Sequence, residues 1–422
     1  AAAAGGQGGQ AGTAPPRTVL SERTAMNNPG TGVTATITEG MRRARAALFV
    51  VFFAQGLGFG SLFARLPTIK DRFGFSDSTL ALMTLALPLM AGAATLLTGS
   101  IVQRIHSDLV LRWAILANFV ALVLIGFADS FAMLIPGWIV MGVAFGTVDA
   151  TMNMKAVSLQ ERYQRSIVVG FYAIYSLAGI VASAAAAATA AAGWPLWVFL
   201  GAEFVVLVPL LLWTGPALVH SRVGGAAAQT AKASLKVKVP WLPVLGIGVV
   251  LSSTYFIESS AASWGAIYVR DTLRAPDSVA ALAYGFYSAA MLAGRLSADW
   301  LIRRFGAKRV IQGCALIALA GMLAVVVAPV PVVALIGFAL AGGGLCVIAP
   351  LAFAAAGTLD QSGVAVARAN TFTYVGFLLG AALIGPIADL SSMRVAYMVS
   401  VALAVVIVLN AGRLARRLAP PA

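Results

Sequence analysis

Three acidic residues lie inside long apolar stretches of this sequence, where a charge is costly. Asp149, Glu203 and Glu258 each sit in the interior of such a stretch. A charge at the centre of a membrane-spanning helix costs about 2.5–3.5 kcal/mol, so these carboxyls need a reason to be there. A buried carboxyl can bind a proton or accept hydrogen bonds from a polar solute. It can also serve only to hold two helices together.

The neighbours of these acids leave both interpretations open. Asp149 and Asn153 are four residues apart and share a helix face. Asp149 could accept a proton, or it could pair with Asn153 or Lys155 and lock its helix. Glu258 precedes three serines and Trp264, a set that suits a polar solute or an interhelical hydrogen bond. We expect Asp149 and Glu258 to be proton-coupling residues, and we favour a structural role for Glu203.

Polar and aromatic residues recur in pairs three or four positions apart, so that the two members of each pair share a helix face. They could line a solute site, or they could pack between helices and form an interfacial aromatic belt. We predict a solute-binding set drawn from these pairs and from the residues around the acids: Gln55, Phe59, Asn153, Tyr172, Tyr175, Glu258, Trp264, Tyr284, Tyr287, Asn370 and Tyr374.

The elements that would position these residues are membrane-spanning helices. The chain is 60% hydrophobic and only 10% charged, against about 25% charged residues in soluble domains. Its apolar residues come in blocks of the length that spans a bilayer. The blocks predict an all-α membrane protein with twelve transmembrane helices near 46–63, 79–102, 111–128, 131–159, 166–192, 194–212, 242–269, 279–301, 310–328, 332–356, 366–387 and 393–409.

The loops predict the orientation, because lysine and arginine concentrate on the cytoplasmic side of a membrane protein. With the amino terminus inside, 23 of the 29 lysines and arginines fall in cytoplasmic segments and six fall outside. This bias predicts two cytoplasmic termini and an even number of helices in a bacterial inner membrane. It also accounts for the net charge of +14 without nucleic acid, for which no motif is visible.

The chain divides into two halves joined by a basic segment. We expect a disordered cytoplasmic tail at 1–40, a six-helix bundle at 41–218 and a basic cytoplasmic linker at 219–240. A second six-helix bundle follows at 241–415, and a short tail at 416–422 ends the chain. The segment GSIVQRIHS after helix 2 is echoed by GRLSADWLIRRFGAKR after helix 8, so the halves are expected to be pseudo-symmetric.

This second segment resembles the loop signature of the major facilitator superfamily. Three further stretches, GTVDATMNMKAV, ESSAASWGAIYVRD and ANTFTYVGFLLGAALIGPIADL, are similar to the fucose-permease-like branch and its YbjJ-type proteins. The resemblance implies a major facilitator fold whose cavity is lined by helices 1, 4, 7 and 10, with helices 2, 5, 8 and 11 contributing. It also implies a gating loop that holds Gly294, Asp299, Arg303, Arg304 and Gly306.

Together these observations predict a secondary active transporter that moves a small organic solute by alternating access. We expect a monomer that is coupled to protons, with a sugar-like or drug-like solute and no preference between uptake and export. The alternatives are a uniporter without proton coupling and a non-transporting membrane sensor on a carrier fold. The sequence has no nucleophile–base set, no metal-ligand cluster and no nucleotide-binding loop, so we expect neither an enzyme nor a cofactor.

Overall fold

The fold is all-α and membrane-spanning, as predicted. The computed structural model describes residues 38–163, 167–217, 241–359 and 364–418. Within these ranges, twelve helices are long and apolar enough to cross a membrane. The predicted linker at 219–240 lies outside the described residues, and so does the predicted tail up to residue 37.

The first half contains six spanning helices with two short elements between or after them. A short helix, Leu66–Phe73, follows the first spanning helix, and a 3₁₀ turn, Gly215–Ala217, follows the sixth. The six spanning helices are α1 (Glu39–Ala64), α2 (Asp77–Ile101), α3 (Ser107–Phe127), α4 (Phe131–Tyr163), α5 (Val168–Ala191) and α6 (Leu196–Thr214).

The second half repeats this pattern. A π-helical turn, Tyr268–Thr272, and a short helix, Asp277–Ala280, connect its first two spanning helices. The six spanning helices are α7 (Trp241–Ile267), α8 (Leu282–Phe305), α9 (Ala307–Val327), α10 (Pro331–Gly357), α11 (Val364–Leu390) and α12 (Met393–Leu418).

Both ends of the chain correct the predicted boundaries. The α1 helix begins at Glu39, inside the predicted tail, because the Thr38 hydroxyl caps it by accepting a hydrogen bond from the Met41 amide at 3.3 Å. The α12 helix continues through Arg416 and Arg417, which were expected to lie in a tail. Basic residues are favourable at a helix carboxyl end, where they oppose the negative end of the helix dipole.

The two halves pack in the same way, which makes them pseudo-symmetric bundles. In the first half α1 contacts α5 and α6, and α3 contacts α4 and α6; in the second half α7 contacts α11 and α12, and α9 contacts α10 and α12. The pairs α2–α4 and α8–α10 also correspond. Across the halves, α2 packs on α11 and α5 packs on α8. A rotation that exchanges the bundles therefore preserves every one of these contacts.

Glycines set the spacing inside the second bundle, where α10 lies against both α8 and α9. A Cβ at Gly342 would collide with the carbonyl oxygen of Tyr287, and a Cβ at Gly344 would collide with the backbone of Ala318. The helical bonding of α10 is then interrupted at Cys346 and Val347. Without side chains at these two glycines, the backbones of α8, α9 and α10 can approach closely.

Candidate functional site

A cavity of about 320 Å³ lies between the two bundles, within the size range of small-molecule sites. The residues that line it come from α1, α2, α4, α5, α7, α8 and α11. Helix α10 was also expected to line the cavity, but it contributes no lining residue and packs against α8. The cavity brings together nine predicted site residues: Phe59, Asp149, Tyr172, Tyr175, Glu258, Tyr284, Tyr287, Asn370 and Tyr374.

The acid of the first bundle is Asp149, held within α4 and tied to α5. The Asn153 side-chain amide donates to the Asp149 carbonyl at 2.9 Å and to its carboxylate at 3.3 Å. The Tyr172 hydroxyl donates to the Asn153 amide oxygen at 2.9 Å. Asn153 was predicted to contact solute, but it does not line the cavity in this conformation. Its side chain is occupied in fixing Asp149 and Tyr172.

The acid of the second bundle is Glu258, and it faces an arginine that sequence reasoning misses. Arg295 lies in the cavity wall, where its charge acts on Glu258. Its guanidinium donates to the Ser176 hydroxyl at 3.3 Å, which links α8 to α5 across the two bundles. The signal for Arg295 is its position inside predicted helix 8, where it directly follows Gly294 of the predicted gating loop.

Aromatic rings form the wall of the cavity away from the termini. The Phe59 ring centroid lies 5.5 Å from that of Phe145 and 6.0 Å from that of Tyr284, so the contact joins the two bundles. Phe377 lies 6.5 Å from Phe59 on the same side. Tyr255 also lines the cavity. Sequence reasoning misses Phe145, Phe377 and Tyr255 because helical spacing alone does not show which face turns inward.

Two further predicted site residues lie outside the cavity. Trp264 is completely buried, and its indole N–H donates to the Ala381 carbonyl of α11 at 3.1 Å. Gln55 is also completely buried, and its amide donates to the Phe145 carbonyl of α4 at 3.3 Å. Neither side chain lines the cavity in this conformation. These side chains connect helices within a bundle, which is the structural alternative for a buried polar group.

The cavity opens toward the end of the molecule where α1 begins and α12 ends. Tyr172 and Tyr374 lie on that side and are 40% and 48% exposed. Tyr284 and Tyr287 lie on the opposite side and are 8% and 1% exposed. We call the side where α1 begins and α12 ends the open end, and the opposite side the closed end.

Helix packing shuts the closed end. A Cβ at Gly385 of α11 would collide with the Asp77 carbonyl of α2, and a Cβ at Gly285 of α8 would lie 2.7 Å from Ser183 of α5. The Thr84 hydroxyl of α2 also lies 3.5 Å from the Ala381 carbonyl of α11. These contacts all join one bundle to the other. They leave no room for a solute between the helices at this level.

Ion pairs reinforce the same end. The Lys70 ammonium lies 2.7 Å from Asp77 of its own bundle and 2.7 Å from Asp271 of the other. The Arg270 guanidinium donates to both carboxylate oxygens of Asp71 at 2.7 and 2.9 Å, and to Asp271 at 2.7 Å. Two of these links, Lys70–Asp271 and Arg270–Asp71, cross between the bundles.

A carboxylate of α11 also caps α2 across the bundles. The Asp389 carboxylate accepts the backbone N–H groups of Asp77 at 3.2 Å and Ser78 at 2.7 Å. A negative charge is favourable at a helix amino end. We call this set the closed-end network: Lys70, Asp71, Asp77, Arg270, Asp271 and Asp389.

The predicted gating loop is mostly helical. Gly294, Asp299, Arg303 and Arg304 belong to α8, and Gly306 alone lies in the turn, with a φ of 79° that favours glycine. The charged residues of this set are exposed, and among the described residues no ion pair joins Asp299 to an arginine. An acid held by arginines was expected here, but the bundles stand apart at the open end in this conformation.

The fold, the paired bundles and the central cavity define a multi-pass membrane protein of the solute-carrier type. The Major Facilitator Superfamily family model matches residues 48–359 and 247–422. The chain belongs to this superfamily, as the sequence resemblance predicts.

The similar proteins agree on the class. An uncharacterized MFS-type transporter of Yersinia pestis is 29% identical over 350 residues, which cover 82% of this chain and 90% of that protein. The solved structure of the nucleoside transporter NupG superposes with a TM-score of 0.68 at 15% identity, over 88% of this chain and 99% of the other. The structure of FucP in the outward conformation superposes with a TM-score of 0.60 at 14% identity, and the match covers 89% of this chain and 99% of FucP. At these identities the structural likeness shows the fold alone, so the fucose-permease-like branch stays a prediction.

Proposed function

We propose that this protein is a proton-coupled secondary transporter of a small organic solute. The observation that carries the proposal is the placement of Asp149 and Glu258, one from each bundle, in the wall of one cavity. Protonation of either carboxyl would change the charge that the solute meets, so proton and solute binding would depend on each other. The aromatic rings and tyrosine hydroxyls suit a sugar-like or a drug-like solute.

The proposed setting is a bacterial inner membrane, with both termini in the cytoplasm and the cavity open to that side. The loop charges support this orientation, because only six of the 29 lysines and arginines are assigned to the opposite side. Lys70, Arg72, Arg270 and Arg394 are among these six. We propose that one chain suffices, since the cavity lies between the bundles of a single molecule.

The test begins with a thermal-shift screen of the purified protein against sugars, sugar acids and drug-like cations. A stabilising solute is then supplied to proteoliposomes that carry a pH-sensitive dye. We expect solute addition to move protons, and a potential of 100 mV to support about fifty-fold accumulation per coupled charge. A facilitated uniporter would give solute flux with no proton movement, and a sensor would bind solute without flux.

Variants of the two cavity acids test whether these carboxyls bind the coupled proton. We expect Asp149→Asn and Glu258→Gln to abolish solute-driven proton movement, singly or together. The control is Asp129→Asn, which removes an exposed carboxyl at the surface, outside the cavity lining. Full coupling in both cavity variants would remove these residues as proton sites.

A further inference from the structure

A second set of buried polar groups lies inside the first bundle, away from the solute cavity. It forms where α1 packs against α3 and α6. Its members are buried and carry polar atoms with few or no partners: Ser61 of α1, Arg65 at the carboxyl cap of α1, Asn118 of α3 and Glu203 of α6. None of the four lines the cavity.

Glu203 is the acid of this set and is only 7% exposed. The Ser61 hydroxyl donates to one of its carboxyl oxygens. The other oxygen, Oε2, is buried without a hydrogen-bond partner. No basic residue in the described part of the chain lies within ion-pair distance of Glu203. An ionised carboxylate in this position would be both desolvated and uncompensated.

Arg65 is the basic residue of the set and caps the carboxyl end of α1, four residues beyond Ser61. It is 4% exposed, and its guanidinium donates to the Trp194 carbonyl at 2.9 Å. It also lies over the Phe199 ring, 5.6 Å from the centroid, with Phe199 one turn before Glu203. The Arg65 Nε remains without a partner, and the charge of Asp277 in the other bundle acts on this guanidinium.

Asn118 supplies the polar group of α3. It is completely buried, and both its amide nitrogen and its oxygen lack partners. A Cβ placed on Gly58 would lie 3.3 Å from the Asn118 nitrogen. Gly58, Ser61 and Arg65 are spaced by three and four residues, so Asn118 and Glu203 approach the same face of α1.

The other charged groups near α6 stand further away. Asp108 and Arg112 lie in the first turns of α3, and Arg112 lines a small cavity with Leu211 and Leu212. At 1.5 Å per residue, Leu211 is about 12 Å along α6 from Glu203. The turn at Gly215–Ala217 carries no charged side chain. Arg65 is therefore the charged group that a conformational change could bring to Glu203.

We propose that Glu203 binds a proton in this conformation and is a second proton site, separate from the solute cavity. An uncompensated buried carboxylate costs several kcal/mol, and protonation removes that cost. The added proton also turns the unpartnered Oε2 into a donor. Glu203 is then neutral, and the buried carboxyl needs no counter-ion.

The structure also supplies a way to release this proton, which rests on the proposed transport cycle. Opening the closed end separates the bundles and takes Asp277 away from Arg65. With the charge of Asp277 removed, Glu203 is the carboxyl that Arg65 would serve as counter-ion. The carboxyl O–H bond breaks, the proton leaves to water at the opening end, and the carboxylate remains beside the guanidinium. The opposite face of α1 carries Phe59 and Phe63 in the cavity wall, so solute can influence this step.

Infrared spectroscopy of the purified protein tests the site without any transport. A protonated buried carboxyl gives a carbonyl band distinct from that of a carboxylate. We expect Glu203→Gln to remove one such band at neutral pH and the Asp149→Asn/Glu258→Gln double variant to keep it. We expect Ser61→Ala to shift the band, because the carbonyl loses its hydrogen-bond donor.

These readouts separate the outcomes. A protonated-carboxyl region that is unchanged in both Glu203→Gln and Ser61→Ala would overturn the proposal, and Ser61→Ala decides the matter if Glu203→Gln does not fold. A Glu203 band in a protein that moves no protons with solute would support the site and defeat the proposed function. In a coupled protein, we expect Glu203→Gln to release one proton fewer per molecule when the closed end opens.

Discussion

The two ends of the molecule differ sharply in what joins the bundles. At the closed end, Lys70–Asp271 and Arg270–Asp71 cross between the bundles, and Gly385 allows α11 to touch α2. At the open end, the charged residues of the predicted gate are exposed, and Asp299 forms no ion pair within the described residues. The rotation that exchanges the bundles maps each end of the molecule onto itself, so the two ends can differ in this way while the bundles stay pseudo-symmetric.

The contacts between the bundles at the closed end stabilise this conformation. An alternating-access carrier must lose its contacts at one end before it gains contacts at the other. Here the closed-end network and the close helix contacts favour the state that is open toward the termini. Changes at the closed end should therefore shift the equilibrium between the two states, and matched changes at the open end should not destabilise this state.

The largest expected effect comes from the basic residues of the network. Lys70 and Arg270 are only 16% and 13% exposed. Removing them therefore leaves the partly buried carboxylates of Asp77 and Asp271 without partners. We expect Lys70→Gln/Arg270→Gln to favour opening of the closed end by about 2–4 kcal/mol, roughly thirty- to nine-hundred-fold. Spin-label distances across that end measure the shift.

The matched variant for that experiment is Arg303→Gln/Arg304→Gln at the open end. It removes the same number of positive charges from exposed positions. We expect the distance across the closed end to stay at its original value. Equal opening by both double variants would show that net charge, and not the network, controls the equilibrium.

A smaller effect should follow from a single methyl group at the helix contact. In Gly385→Ala the new Cβ would meet the Asp77 carbonyl, Ala81 and Trp264. Overpacking of this kind costs about 1–3 kcal/mol, which we expect to appear as opening of the closed end. Gly313→Ala is the control, since its Cβ would meet nothing within 4 Å. A closed end that is unchanged by Gly385→Ala would contradict the role given to this contact.

The cap on α2 should contribute less. We expect Asp389→Asn to favour opening by about 0.5–1 kcal/mol, because the neutral amide is a weaker partner for the helix amino end. Urea titration of the spin-label distance would resolve a change of this size. Asp299→Asn should leave the closed end unaffected; an equal shift in both variants would argue against a specific cap.

The smallest expected effect is a pH dependence confined to alkaline conditions. Burial lowers the pKa of Lys70, but hydrogen bonds to Asp271 and Asp77 outweigh it and leave this pKa above the ordinary value. The contribution of Lys70 is therefore complete below about pH 10.4 and is lost as the pH rises through the raised pKa. We expect a constant closed end between about pH 6 and 9. In Lys70→Arg the alkaline opening should disappear, and an opening that begins near neutral pH would contradict this reasoning.

The helices and the two cavity acids could be predicted because their signals are local. A block of apolar residues spans a bilayer wherever it stands, and a charge such as Asp149 or Glu258 inside it stands out. The direction of a side chain depends on packing between helices, so the sequence could not show that Trp264 and Gln55 point away from the cavity in this conformation. Arg295 was missed because a loop pattern overlaps the end of its helix.

The gate could not be predicted for a different reason. Loop charge shows which residues could latch an end, but it does not show which end is shut. Lys70 and Asp271 are 201 residues apart in the chain, and only the tertiary structure brings them together.

The central claim is that one cavity is exposed to one side of the membrane at a time. The direct test places spin-label pairs across each end, Ser130→Cys with Val330→Cys at the closed end and Gln103→Cys with Lys308→Cys at the open end. All four positions are exposed, and the native Cys314 and Cys346 are buried. We predict that a stabilising solute lengthens one distance and shortens the other. Two distances that remain constant, or that change in the same direction, would contradict the account.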